Sequence, residues 1–161
     1  IEATRFTGKG RLVLTGQLGD VMKESDSIAL DYVLTHSTEF KIYPKLFEEN
    51  DVHIHVPEGA VPKDGPSAGV TMTTALVSCF SNIPVKANLA MTGEVTLRGN
   101  VLPIGGLKEK SLAAHRSGID TILIPKENVK DLDDVPQEVK DAVTFIPCSN
   151  VSQVLHNALV K

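Results

Sequence analysis

Apolar positions along this chain repeat with the periods of short strands and of amphipathic helices. Val52, Ile54 and Val56 alternate with His53 and His55, which is the two-residue period of a half-buried strand. Further strands are predicted at 11–15, 89–97, 101–104, 121–124 and 143–146, the 89–97 and 101–104 strands forming a hairpin around Arg98-Gly99-Asn100.

Helical spacing appears between these strands. A helix is predicted from about residue 20 to residue 36, because Val21, Ser25, Ile28 and Tyr32 recur at helical intervals. Further helices are predicted at 67–80, 106–117 and 126–131, from 136 onward, and after the cap residue Asn150, and a short helical turn is predicted at 44–47. About five to six helices with short strands and a hairpin indicate a single mixed α+β domain over residues 1–161.

Composition and charge exclude several classes of protein. Of the 161 residues, 42% are hydrophobic and 22% are charged, which is ordinary for a folded globular chain and excludes disorder, collagen and coiled coil. The net charge of -4 argues against binding to nucleic acid or to an anionic membrane. The uncharged stretch 65–85 contains too many Ser, Thr and Pro residues for a membrane span, so it predicts a buried helix.

The ends and the cysteines add two expectations. The chain starts at Ile1 without an initiator Met or an apolar signal region, so we interpret it as a fragment of a longer protein. Cys79 and Cys148 do not form a paired motif, which favours a reducing compartment.

Ser67 is a candidate nucleophile. It lies in Gly65-Pro66-Ser67-Ala68-Gly69, which matches the short G-x-S-x-G pattern of many hydrolases. The α/β-hydrolase elbow does not fit, because it requires a strand leading directly into the serine, and the predicted strand ends at Val56. A serine at the start of a buried helix instead predicts nearby free N–H groups that could stabilise an oxyanion.

Lys110 is the best-placed candidate base. With Leu107 as the origin of a helical wheel, Lys110 falls at about 300°, between Ala113 at about 240° and Ala114 at about 340°. Lys108 falls at about 100°, on the more polar side. A lysine among small apolar side chains loses hydration, which favours the neutral amine and makes it a competent base. A side chain that extends over the alanines into water remains an alternative at this point.

Two other kinds of site are less well supported. His53 and His55 share one face of a strand, but no third metal ligand is evident in the sequence. Lys110-Ser111 resembles the end of a phosphate-binding loop, but the glycines that this loop requires are replaced by Ile104 and Glu109.

Two longer segments identify a resemblance. Residues 62–69, Pro-Lys-Asp-Gly-Pro-Ser-Ala-Gly, resemble the nucleophile segment of the Lon family of ATP-dependent proteases. Residues 91–99, Met-Thr-Gly-Glu-Val-Thr-Leu-Arg-Gly, and 102–110, Leu-Pro-Ile-Gly-Gly-Leu-Lys-Glu-Lys, resemble the lysine segment of the same family. The resemblance extends from about Gly8 to the C-terminus.

The resemblance implies a C-terminal proteolytic domain with a Ser-Lys dyad. Ser67 would be the nucleophile and Lys110 the base, which agrees with the helical-wheel argument. The family's threonine close to the lysine amine would be Thr92. Asp64 would belong to a loop that changes between inactive and active states, and we expect its carboxylate to gate activity.

The resemblance also carries expectations about cofactors, partners and location. No cofactor or metal is expected in this chain, whereas ATP and Mg are expected in an upstream ATPase region. The expected substrates are unfolded or damaged proteins, and a homohexameric ring is implied. The bacterial cytoplasm is the first choice of compartment, with the mitochondrial matrix second. The alternative function is a non-catalytic oligomerisation or interaction domain.

Overall fold

The computed structural model describes residues 1–161 and contains eight β-strands, six α-helices and one 3-10 helix. The strands are β1 (Glu2–Thr7), β2 (Leu12–Thr15), β3 (Asn50–His55), β4 (Leu89–Met91), β5 (Glu94–Val95), β6 (Val101–Leu102), β7 (Thr121–Pro125) and β8 (Thr144–Cys148). The α-helices are α1 (Asp20–Thr35), α2 (Lys45–Glu49), α3 (Gly69–Ser81), α4 (Leu107–Arg116), α5 (Gln137–Ala142) and α6 (Val151–Ala158), and the 3-10 helix spans Lys126–Asp134. The predicted α+β class is confirmed.

The first sheet has the strand order β1-β3-β2, with β1 antiparallel and β2 parallel to the central strand β3. Val52 and Ile54 on β3 are buried, whereas His53 and His55 are half-buried, so the predicted alternation is confirmed. Strand β1 was not predicted from the sequence. Its apolar residues do not alternate over enough positions, and pairing with β3 holds it in place.

The second sheet has the order β4-β7-β8, and all its strands are parallel. Its central strand β7 carries the consecutive buried residues Ile122, Leu123 and Ile124. A run of this kind is typical of a strand covered on both faces. The carboxyl end of β4 lies beside this strand and leads directly into Thr92.

The central helix α3 packs lengthwise against α1 and carries no charged residue. Its inner threonines satisfy their hydroxyl groups within the helix: Thr73 donates to the Gly69 carbonyl at 2.8 Å and Thr74 to the Val70 carbonyl at 2.7 Å. Asn82, with φ of 60°, ends the helix in the left-handed conformation. These bonds explain how a polar stretch without charges forms a buried helix. None of the helices is long and apolar enough to cross a membrane.

The predicted hairpin is shorter than expected. Residues 89–97 do not form one strand: β4 pairs with β7 in the second sheet, and only β5 pairs with β6 as a hairpin. The break falls at Thr92-Gly93, whose backbone groups bond to other segments. The Thr92 N–H donates to the Leu123 carbonyl at 3.1 Å, and the Gly93 N–H donates to the Ser67 carbonyl at 2.9 Å.

The helix predicted at about 20–36 is confirmed as α1, but the four residues whose spacing predicted it do not all face the core. Ser25 and Tyr32 are buried, whereas Val21 is 43% exposed and Ile28 is only half-buried. The buried stripe of α1 consists of Met22, Ser25, Asp26, Ala29, Tyr32 and Val33. The stripe is rotated because α3 and β5 cover this side of α1 and leave Val21 at the surface.

Candidate active site

The segment that carries Ser67 lies between a long loop and helix α3. The helix begins at Gly69 with Ala68 as its cap, two residues later than predicted, so Ser67 is in the preceding turn. The Gly69 N–H donates to the Pro66 carbonyl at 3.1 Å, which closes that turn. Ser67 is therefore presented by a tight turn rather than by the helix itself.

The backbone of Thr92-Gly93 holds this turn in place. Besides the bond from Gly93 to Ser67, the Val70 N–H donates to the Gly93 carbonyl at 3.1 Å. The Thr92 hydroxyl donates to the Ser67 carbonyl at 3.4 Å. A Cβ atom at Gly93 would lie 2.7 Å from Val101 Cγ1 and 3.0 Å from Val70 Cγ1, so this close approach requires glycine.

Two N–H groups near Ser67 are left without an acceptor. The sequence predicted free N–H groups at the start of this helix, but those of Gly69 and Val70 donate to the Pro66 and Gly93 carbonyls. The N–H groups of Ser67 and Ala68 donate to no protein group. Because they lie at the positive end of α3, they can stabilise a developing oxyanion beside the serine.

Helix α4 determines the direction of Lys110. Gly106, with φ of 75°, starts this helix, and Leu107 and Ser111 anchor its buried face. Lys110 and Ala114 line one pocket together, whereas Lys108 lines a different pocket. The predicted separation of the two lysines is confirmed. Ala113 is exposed and does not line the Lys110 pocket, unlike the wheel arrangement.

Ser67, Thr92 and Lys110 line a single pocket of about 210 Å³. Most of the remaining wall is small or apolar: Ala68, Thr71, Ala90, Met91, Leu107, Ser111, Ala114 and Ile122. The pocket is formed by the Ser67 turn and the start of α3, by β4 with the following Thr92, by β7 and by α4, and these segments are distant in sequence. The structure thus brings together three of the four residues proposed from sequence.

The electrostatics around Lys110 favour a neutral amine. Partial burial lowers the pKa of the Lys110 ammonium group below its ordinary value, although much of the side chain is exposed to solvent. No carboxylate lies within ion-pair distance, since Arg11 and Asp51 form the one salt bridge of the chain. No hydrogen bond joins the Lys110 Nζ and Ser67 Oγ atoms here, and such bonds often tighten only when substrate binds.

Asp64 lies outside this pocket. Its Oδ1 accepts hydrogen bonds from the Met22 N–H at 2.9 Å and from the Gly65 N–H at 2.8 Å. It therefore caps the first turn of α1, because the cap residue Gly19 has no side chain to do so. Asp64 lines a separate pocket that includes Gly19 and Lys63.

Lys63 holds the loop before Ser67 in place, a role that the sequence analysis did not assign to it. Its ammonium group donates to three carbonyls: to Gly16 at 2.9 Å, to Glu58 at 2.6 Å and to Val61 at 2.7 Å. The backbone of Lys63 also exchanges hydrogen bonds with Gln17 and Gly19. Lys63 thereby attaches the loop before Ser67 to the turn before α1. The one feature of the sequence that could have indicated this role is the position of Lys63 directly before Asp64 in the segment 62–69.

His53 and His55 form a different arrangement. Both ring systems bond to the hydroxyl of Thr15, His53 Nε2 at 2.8 Å and His55 Nδ1 at 2.7 Å. No group of three or more His, Cys, Asp or Glu side chains is placed to hold a metal ion. The pair lacks the third ligand that a metal hydrolase would require.

Comparisons with known proteins agree on one family. Residues 1–161 match the family described as the Lon protease (S16) C-terminal proteolytic domain. A Lon protease from Brevibacillus choshinensis is 58% identical over 161 residues, covering 100% of this chain and 21% of the relative. Lon protease 1 of Bacillus subtilis is 57% identical over 160 residues, covering 99% of this chain and 21% of the relative. The chain thus spans about a fifth of the length of these curated relatives.

Proposed function

Because this chain belongs to the Lon protease (S16) family as its C-terminal proteolytic domain, we propose that it hydrolyses peptide bonds with Ser67 as nucleophile and Lys110 as base. The observation that carries the proposal is the single pocket lined by Ser67, Thr92 and Lys110. A lysine whose pKa is lowered by desolvation, with no carboxylate beside it, is suited to accept the serine proton.

In the first half of the reaction, neutral Lys110 removes the proton from Ser67 Oγ as this oxygen attacks the substrate carbonyl carbon. The carbonyl oxygen becomes an oxyanion, which the N–H groups of Ser67 and Ala68 stabilise. The Lys110 ammonium then protonates the leaving amine, the peptide C–N bond breaks, and an ester to Ser67 remains.

In the second half, water replaces the amine. Lys110, again neutral, takes a proton from a water molecule whose oxygen attacks the ester carbonyl. The same two N–H groups stabilise the second oxyanion. Lys110 returns the proton to Ser67 Oγ as the ester bond breaks, which releases the acid product and regenerates both residues.

Thr92 acts as a positioning residue in this scheme. Its hydroxyl hydrogen is directed to the Ser67 carbonyl, so its oxygen lone pairs remain available to accept an N–H of Lys110. Such a bond would turn the amine lone pair toward Ser67 Oγ. Thr92 is only 7% exposed, so its orientation is fixed by packing.

Asp64 is proposed to gate the site. If the loop rearranged and brought its carboxylate to Lys110, the charged ammonium would be favoured and the base would be lost. In the present arrangement the carboxylate binds the N-terminus of α1 instead. The proposed active state is the one in which α1 retains Asp64.

The proposals for the substrates, the oligomeric state and the cellular location of the whole protein are based on family membership rather than on the residues of this chain. We expect the whole protein to degrade unfolded or damaged proteins as a hexameric ring in the bacterial cytoplasm. ATP and Mg would be bound by an ATPase region outside this chain. The relatives described above are Lon proteases of bacteria.

The test uses the full-length protease that contains this chain, with ATP and a fluorogenic peptide. Ser67→Ala and Lys110→Gln should each abolish hydrolysis while leaving circular dichroism unchanged, and a serine-directed covalent probe should label Ser67. Lys108→Gln is the matched control and should lose much less, because Lys108 lines a different pocket. Full activity in a folded Lys110→Gln protein, or equal losses at both lysines, would refute the dyad.

A further inference from the structure

A second pocket begins at Pro66, the residue directly before Ser67, and we propose that it is a substrate subsite that binds a lysine or arginine side chain. This inference rests on the proposed peptidase function. The pocket has a volume of about 170 Å³ and is formed by α1, β5 and the Ser67 turn. Its lining is Val21, Glu24, Ser25, Ile28, Pro66, Glu94 and Val95.

One wall of this pocket is apolar. Val21 is 43% exposed, and Ile28 is half-buried beside it on α1. Of the four residues whose helical spacing predicted α1, these are the two that the structure does not bury. Together with Pro66 they form a surface on which an aliphatic stem can pack.

Two carboxylates lie at the same pocket without a cation. Glu24 on α1 and Glu94 on β5 both line it, and neither has a Lys, Arg or His nitrogen within ion-pair distance. Two unpaired negative charges beside an apolar wall create a local potential that attracts a cation. A long aliphatic side chain with a positive end group satisfies both features at once.

Ser25 supplies an independent indication that a polar ligand group enters. It is only 6% exposed, lines the pocket, and its hydroxyl makes no hydrogen bond with the protein. Its Oγ lies 3.1 Å from the position that a Cβ atom at Gly69 would occupy, two residues after Ser67. The fully buried polar atoms without a partner are both oxygens of Asp26, so the Ser25 hydroxyl is open to the pocket, and an ammonium or guanidinium group can donate a hydrogen bond to it.

The connection of this pocket to the reaction centre is short. Pro66 precedes Ser67 in the chain, and Glu94 follows Gly93, whose N–H binds the Ser67 carbonyl at 2.9 Å. A side chain held here therefore belongs to a substrate residue near the scissile bond. The pocket is distinct from the one that Ser67 and Lys110 share, which has no acidic lining.

The test measures selectivity in the full-length protease with ATP. Pairs of fluorogenic peptides differ only by lysine or norleucine at one position near a fixed cleavage site, and this position is moved stepwise along the peptide. At one position the wild type should prefer lysine. Glu24→Gln and Glu94→Gln should each reduce the lysine-to-norleucine ratio of kcat/KM roughly fivefold, mainly through KM. Glu127→Gln, an exposed acid on the 3-10 helix, is the control for a general charge effect.

A binding measurement separates this inference from the proposed function. Labelled lysine and norleucine peptides are titrated against the full-length Ser67→Ala protein, and the difference in Kd should shrink in Ser67→Ala/Glu94→Gln. This result does not require Ser67 to be the nucleophile. An unchanged ratio in both glutamine variants, an equal reduction in Glu127→Gln, or a change in oligomeric state without a change in selectivity would overturn the subsite. The last outcome would assign the pocket to a contact between copies of the chain.

Discussion

Asp26 is expected to make the stability of this fold depend on pH. It lies in the buried stripe of α1, is 0% exposed, and neither carboxylate oxygen has a hydrogen-bond partner. The helix α3, against which α1 packs, carries no charged residue, and Glu94 is the one titratable residue on the other packed element, β5. Burial therefore raises the pKa of the Asp26 carboxyl from its ordinary 3.8 to about 7.

The sign of the effect follows from the proton balance. Between the two pKa values the folded chain holds a proton on Asp26 that the unfolded chain has released, so stability falls as pH rises. One pKa unit corresponds to about 1.4 kcal/mol, so a shift of about three units costs about 4 kcal/mol above neutral pH. From about pH 5 to about pH 8, the loss amounts to about 2 to 3 kcal/mol.

The measurement is urea unfolding of the chain at several pH values, compared with Asp26→Asn. Asparagine has nearly the same shape but does not titrate, so the variant should gain stability over the wild type by about 2 to 3 kcal/mol between about pH 5 and about pH 8. Asp31→Asn, an exposed residue on the same helix, is the matched control and should track the wild type. Parallel stability curves for Asp26→Asn and the wild type would show that Asp26 is solvated or partnered in solution, and the argument would fail.

Three further predictions concern the active site of the full-length protease. The kcat/KM for peptide hydrolysis should rise with pH as Lys110 loses its proton, and the midpoint of this rise should lie below the ordinary lysine pKa of 10.5. A kcat/KM that does not change from acid to neutral pH would contradict a lysine base. Lys63→Met should lower kcat about tenfold and speed limited proteolysis at 57–66, because it removes an ammonium group that donates hydrogen bonds to three carbonyls. Lys63→Arg should partly restore both properties. Unchanged cleavage of the loop in Lys63→Met would refute this role. Asp64→Asn should alter basal or ATP-stimulated peptidase activity, and no change in either would exclude the gate.

The features that local sequence predicts well are those that local bonds determine. Asn150 caps α6 by accepting the Gln153 N–H at 3.0 Å, as predicted. Gly118, with φ of 80°, follows the end of α4 as expected. The helical period placed Lys110 beside Ala114 and away from Lys108, as the pockets show, because α4 is regular and one face of it is anchored by Leu107 and Ser111; it was wrong only for Ala113.

The features that sequence did not predict depend on contacts between distant segments. Strand 89–97 was predicted as continuous, but Thr92-Gly93 leaves the hairpin because its backbone bonds to β7 and to the Ser67 turn. The capping of α1 by Asp64 joins residues that are 42 positions apart. Helical spacing also could not show which side of α1 would face α3, since apolar and small residues occur on both sides.

The first turns of α1 connect these long-range contacts to the chemistry. Met22 binds Asp64, and Gly19 donates to the Lys63 carbonyl at 2.7 Å, so the loop before Ser67 can shift only if this end of α1 releases it. Val21 and Ser25 of the same turns line the proposed subsite for a lysine or arginine side chain. A substrate side chain that packs there contacts the helix that retains Asp64. A ligand that binds this subsite better while α1 holds Asp64 would stabilise the state in which the gate residue is retained.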